Sequence, residues 1–454
     1  MKLHIEQIKA AMQLYEIREC DIVSDEQAHK AYKLYLSLHN KPHLNKGPGI
    51  VKPIDNNKNI ISLSADLFKS HERIIYLTRW VIKVLPFIDL LSEVGKLPLQ
   101  RTSNDFVGYL KGIFDNYLNE LKKVFSIIPD TENLIKDSDL LNVQELCEKI
   151  LVSIQEYYKG FPNIAFSTLK GAIVDNLEET GYLNYFLIFT NQLRGTLYKM
   201  RVGTNHTYSS EEMFHIPFEL RGLVSTNRYS IPGLPCVYLG STPLTCWEEL
   251  NKPDLNTIQT SLFLLEKDIS YLDLSTPPVE AIERFISNYQ HFSNSDMNKI
   301  YEEMTSYLVF WPLIAACSIR VKNTNDSFKP EYIISQLLLQ WIRQSDYDGI
   351  CYFSTKVKDY SKHSAPLYRN YAFPVQQQST KGHCSILREK FHITNAVPWQ
   401  MFQLYKDSHL CVPNEGGIQV EIEFIDGMSL LYSSTDFNKL ENFLHNKFTI
   451  EKSI

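Results

Sequence analysis

Two adjacent carboxylates, Glu248 and Glu249, close the stretch RYSIPGLPCVYLGSTPLTCWEEL (Arg228–Leu250), which is otherwise apolar enough to be buried. Ile231-Pro232-Gly233-Leu234 fits a β-turn, with proline pre-setting φ and glycine supplying positive φ. Cys236–Leu239 is a short apolar run between turns, hence a buried strand. Thr242 followed by Pro243 starts a helix, a hydroxyl N-cap and then a residue with no amide proton to leave unpaired. Tyr238 therefore ends a strand and Glu249 lies nearly two turns into the next helix. Such positions meet at the rim of an α/β sheet, where ligands bind. Neighbouring helix residues diverge by about 100°, so one glutamate faces inward and the other faces water. Periodicity does not say which. A second patch, SDYDGICYFSTKV (Ser345–Val357), reads as an Asp348-Gly349 turn, a strand over Ile350–Phe353, and Ser354 where the strand runs out. Ser354 has no GxSxG elbow and no neighbouring histidine to activate it, so it reads as a backbone cap rather than a nucleophile. There is no HExxH and no clustered His/Cys set, and no metal is expected.

These residues need elements to hold them. From about Leu193, glycine, proline and β-branched residues punctuate short elements, as in a mixed α/β region. Strands are expected at Cys236–Gly240, Ser261–Leu265, Ser270–Leu274, Ile350–Phe353 and Tyr368–Phe373. Helices are expected at Pro243–Asn251, Pro278–Tyr289, Ser295–Ile314 and Pro330–Gln344. QVEIEFIDGMSLLY reads as a hairpin turning at Asp426-Gly427, after which Thr435 caps a helix to about His445. The first 190 residues read as helical: Met1–Cys20, Asp25–Leu38, then a Gly/Pro/Asn-rich loop (Asn40–Asn59), then Ala65–Leu85, Asn104–Phe125, Leu141–Lys159 and Phe166–Glu178. Phe106, Leu110, Phe114, Leu118 and Leu121 show the three- and four-residue spacing of a buried helix face. This region carries no chemical motif, and packing, sensing or oligomerisation is its expected role.

Bulk properties exclude several classes. A chain of 454 residues exceeds one ordinary domain. A net charge of −6 argues against a nucleic-acid partner. Eight cysteines without a CxxC pair read as free thiols in a reducing cytoplasm. The first twenty residues carry charges throughout and lack an apolar core, so no signal peptide is expected. Ile74–Leu91 is broken by Arg79, Lys83, Pro86 and Asp89, and reads as a buried helix rather than a membrane span.

The run MFHIPFELRGLVSTNRYSIPGLPCVYLGSTPLTCWEEL, with YDGICYFSTKV and LYRNYAF, resembles the RES domain, named for its arginine, glutamate and serine. The resemblance covers roughly residues 195–375. It implies an ADP-ribosyltransferase-like fold and a toxin that destroys NAD+ or transfers its ADP-ribose. The implied architecture is α+β: a helical domain at 1–190, and a mixed α/β RES-like domain at 191–454 with an insertion near 255–330 and a C-terminal hairpin and helix. The family arginine falls in LYKMRVG, with Arg201 the natural match, although the pattern often has arginine where this chain has Lys199. Arg228 is the arginine of the second motif, followed by Tyr229 where phenylalanine is common. Tyr238 is the strand-end tyrosine, Glu249 the glutamate, Ser354 the serine and Asn370 the downstream asparagine. Glu248 is left as a solvent-facing neighbour; His206, His215 and His363 lie near the motifs and read as ordinary polar residues.

The implied chemistry is cleavage of the nicotinamide–ribose bond, with NAD+ as substrate and no cofactor. It passes through an oxocarbenium-like ribosyl cation. Nicotinamide leaves neutral from a pyridinium, so a general acid is unnecessary and the site must supply negative charge near the ribose, the role of Glu249. Arg201 and Arg228 would grip the diphosphate with their bidentate forks; Tyr238 would offer a ring face and Ser354 an orienting hydroxyl. The expected activity is an NAD+ glycohydrolase-like toxin or defence effector. The alternatives are an ADP-ribosyltransferase acting on a protein and, from another class, an inactive nucleotide-binding or interaction module. A protein inhibitor, a sensor or a second copy is the expected partner of the helical region.

Overall fold

The computed structural model describes residues 87, 89–127, 136–190, 196–289, 297–357, 364–411, 420–425 and 427–453. The helices expected between Met1 and Leu85, the Asn40–Asn59 loop, and His363 lie outside the described residues.

Helices α1 (Phe106–Ile127), α2 (Asp137–Tyr158) and α3 (Pro162–Ile173) follow the apolar spacing of the sequence, and α3 runs on into a wider turn at Val174–Glu178. Next come β1 (Leu187–Thr190), β2 (Thr196–Val202), β3 (Cys236–Gly240), α4 (Pro243–Glu249), β4 (Ile258–Leu265) and β5 (Ile269–Leu274). Then follow α5 (Pro278–Tyr289), α6 (Met297–Cys317), α7 (Ile333–Gln344), β6 (Gly349–Phe353), β7 (Arg369–Pro374) and the one-turn α8 (Ser385–Arg388). The chain closes with β8 (Phe391–Ile393), β9 (Val397–Pro398), α9 (Trp399–Gln403), the hairpin β10 (Glu421–Ile425) and β11 (Met428–Leu431), and α10 (Asp436–Ser453). Pro312 stands inside α6.

The result is a mixed α/β protein. Nine described strands form one sheet in the order β1-β5-β6-β7-β3-β2-β4-β8, with β9 also on β4. Only β5 and β6 run parallel; the other pairs are antiparallel. β4 and β5 are integral strands of this sheet, so the part of the chain expected as an insertion supplies sheet framework. β2 and β3 meet at a single pair, Tyr198↔Gly240, and the sheet opens there.

Apolar side chains sort by strand alternation. On one face, α1, α2, α3, α6 and α7 cover β5, β6 and β7 in a single core that runs from Phe87 to Ala372. Its centre holds the stacked rings of Tyr117 and Trp311, 3.9 Å apart. α4, α9 and α10 pack over β2 and β4 as a second cluster. The opposite face carries Leu197, Val237, Leu239, Phe263 and Phe373 beneath Met213, Phe214 and Phe218.

The Asp348-Gly349 pair is not a turn. Asp348 is buried and bridges to β5, donating its N–H to the Ser270 carbonyl and accepting from the Ser270 N–H, while Gly349 opens β6. Glycine is needed there for close approach: a Cβ would lie 2.3 Å from a Phe373 ring carbon and 2.6 Å from the Ala372 carbonyl oxygen. Gly349→Ala is therefore expected to cost about 1–3 kcal/mol by overpacking, read as a lowered midpoint in urea melts.

Candidate active site

Thr242 accepts the Thr245 N–H and Pro243 takes the first helical position, so α4 starts at a fixed point just past β3. Its seven residues end on Glu249. Across the sheet, cross-strand partners share a face. The row Tyr198↔Gly240↔Asn370↔Tyr352 therefore lies on the face that α4 covers. Ser354 follows β6 directly, and its N–H donates to the Tyr368 carbonyl, holding its side chain at the strand end.

The three elements converge on one carboxylate. Ser354 Oγ donates to Glu249 Oε1 at 2.5 Å and Asn370 Nδ2 donates to the same oxygen at 2.8 Å. Ser354 and Asn370 are buried, whereas the Glu249 side chain keeps 32% of its exposure, so the acid is fixed from below and open above. Glu249 Oε2 has Lys356 Nζ at 3.8 Å. Lys356 Nζ also donates to the Glu249 carbonyl oxygen and, at 2.8 Å, to Asn251 Oδ1. Asn251 and Lys252 adopt left-handed φ of 63° and 55°, a strained exit from α4 beside the acid.

Aromatic rings wall the site. Tyr352 shares the Asn370 row, and Glu249, after burial, is the main charge pushing its hydroxyl pKa up. Tyr229 packs against it with centroids 4.4 Å apart. Tyr238 donates to the Tyr229 carbonyl at 2.6 Å, which fixes its ring. Burial raises the pKa of Tyr332, which stands just before α7, against the lowering effect of Arg228 and with a smaller push from Glu249.

The candidate cations are placed differently from the expectation. Arg228 is buried: Nη1 donates to the Cys317 carbonyl at 3.0 Å, and Nη2 donates to the Ile319 carbonyl at 2.7 Å and to Thr355 Oγ1 at 3.1 Å. Its guanidinium also lies 5.0 Å from the Tyr332 ring centroid. This is a staple between the end of α6 and the Ser354 loop, not an open fork. Arg201 and Lys199 alternate with Tyr198 on β2 and so point to the opposite face of the sheet from the Asn370 row. Arg201 donates to the Glu212 carbonyl at 2.6 Å and stacks on Tyr208 at 4.5 Å. Lys199 donates to the Phe214 carbonyl, and burial, followed by the Arg201 charge, lowers its pKa to about 8. The structure thus unites Glu249, Ser354 and Asn370 with Tyr238 and Tyr229 nearby, and does not bring Arg201 or Lys199 to them. Strand alternation is the reason.

Glu248 also departs from the expectation. It is 9% exposed and pairs with Lys252 at 3.1 Å, so the solvent-facing neighbour is the more buried of the two acids. α4 lies with its Glu248 side against the second apolar cluster and its Glu249 side over the strand ends. His206 caps the 203–214 loop through Glu212 at 2.7 Å. His215 is buried, held between the Ile216 carbonyl and the Cys384 N–H. Lys356, Tyr352 and Tyr332 escaped sequence reasoning. For Tyr352 the signal was available, since it stands two residues before Ser354 on the same strand face. Among the described residues no group of three His, Cys, Asp or Glu side chains could hold a metal ion. A shallow cavity between α3 and α7, lined by Lys170, Trp341 and Tyr347, holds none of the site residues.

A curated protein of Bacillus subtilis (strain 168) named "Putative toxin YopC" is 35% identical over 440 residues, covering 94% of this chain and 95% of its own length. The chain belongs to the YopC toxin family. Near-complete mutual coverage means that the relative matches the helical part as well as the sheet. No family model matches the chain, and no solved structure matches it. Among the described residues of this YopC-family chain, no helix is long and apolar enough to cross a membrane.

Proposed function

We propose that this toxin-family protein cleaves the nicotinamide–ribose bond of NAD+, as an RES-type, ADP-ribosyltransferase-like enzyme, and that loss of cellular NAD+ is the basis of its toxicity. One observation carries the reading: a single partly exposed carboxylate, Glu249 at the end of α4, is held by Ser354 just past β6 and Asn370 on β7, beside the Tyr352 ring. Both donors bind Oε1, so charge and lone pairs on Oε2 face the opening. A carboxylate so fixed suits a ribosyl cation, because it need not reorganise when positive charge develops. Ser354 then acts by orienting the acid rather than by attacking. Tyr352 and Tyr238 offer faces for nicotinamide or ribose, and the departing base needs no proton.

Water and a protein side chain can capture the same cation, so transfer of ADP-ribose to a protein is the second reading of the same site. Purified full-length protein incubated with NAD+ separates them. Stoichiometric free nicotinamide and ADP-ribose are expected. A modified protein band with little free ADP-ribose favours transfer, and intact NAD+ sinks both in favour of a binding module without catalysis.

A further inference from the structure

We propose that Lys356 is the cation that binds the substrate diphosphate, leaving the end of α4 to do so; this deepens the NAD+ reading and rests on it. A dinucleotide brings two negative charges to a cleft whose built-in acid already carries one, and some cation must offset them. Arg228 is buried and committed to two carbonyls, a hydroxyl and a tyrosine face. Arg201 and Lys199 point to the other side of the sheet and hold carbonyls of the 203–214 loop. Lys356 stands on the site face at the carboxylate, with 35% of its side chain exposed.

Its contacts suit a group that can leave them. Its two close acceptors, the Glu249 carbonyl and Asn251 Oδ1, are neutral, and the carboxylate oxygen at 3.8 Å is beyond hydrogen-bond reach. Left there, the ammonium would oppose the very cation that Glu249 is placed to stabilise. A diphosphate offers stronger, charge-assisted acceptors. It would draw the flexible side chain off the acid and unmask Oε2 at the moment substrate arrives. Lys356 also lies two residues after Ser354, and its own N–H donates to Ser354 Oγ at 3.2 Å. The donor is the Lys356 backbone, so the bond does not depend on the position of the Lys356 side chain, and the acid stays oriented while the ammonium swings.

The test is calorimetric binding of ADP to the full chain as wild type, Lys356→Met and Lys356→Arg, with adenosine as the probe lacking the diphosphate. The expected result is ADP binding weakened about tenfold to hundredfold by methionine, largely kept by arginine, and adenosine binding equal in all three. ADP affinity unchanged by methionine overturns the proposal, as does a wild type that does not bind ADP, or an equal loss for adenosine and ADP. Should methionine unfold the chain, Lys356→Gln gives the same comparison. NAD+ turnover is followed in parallel: a wild type that binds ADP through Lys356 yet leaves NAD+ intact ends the cleavage reading alone.

Discussion

Glu249→Gln is expected to slow NAD+ cleavage about a thousandfold or more while leaving the melting temperature nearly unchanged. Glutamine keeps the volume and one oxygen, so Asn370 and Ser354 retain an acceptor, and the start of α4 is set elsewhere, by Thr242. What is lost is negative charge on a side chain that is 32% exposed. The comparison isolates electrostatics from packing, which an alanine at this position would not. Nicotinamide release from NAD+ measures it, with circular dichroism as the control for folding. Glu248→Gln is the matched control, because Glu248 is occupied by Lys252. Equal turnover by the Glu249 variant and the parent would remove the acid from the mechanism.

Arg228→Met is expected to have the largest effect on stability, about 3 kcal/mol, and to abolish activity only as a consequence. The guanidinium makes three hydrogen bonds in a site that is 8% exposed, two of them to the carbonyls of Cys317 and Ile319. Methionine fills much of the space but strands those acceptors, and hydrogen bonds to charged groups are worth about 1.5–3 kcal/mol each. Chemical denaturation midpoints measure the loss. If the variant melts like the parent but its KM for NAD+ rises sharply, the diphosphate role implied by the family resemblance is restored to Arg228 and the stapling role falls.

Much of the site was legible because short-range rules governed it. The Thr242-Pro243 entry to α4, the strand Cys236–Gly240 and the capping Thr435 each follow from local chemistry and appear as expected. Which glutamate meets Ser354 was not local: periodicity left it open, the family resemblance chose Glu249, and the packing of α4 is what places it over the strand ends. Arg201 shows the opposite failure. The family resemblance nominated it, but the β2 register, fixed by its pairing with β4, turns it to the far face. Gly349 shows a third kind: a dipeptide typical of turns is used for close contact, because Phe373 on the neighbouring strand occupies the space where a side chain would stand. Tyr332 and Arg228 meet only through tertiary folding, and no pattern in one dimension links them.

The shared core has a consequence for how the chain comes apart. From the Tyr117 ring through Trp311 and along α6 to the Cys317 carbonyl that grips Arg228, every link is buried. The helices between Phe106 and Glu178 thus share one interior with α6 and the sheet, so proteolysis that removed them would strip the cover from Trp311 rather than release a separate unit.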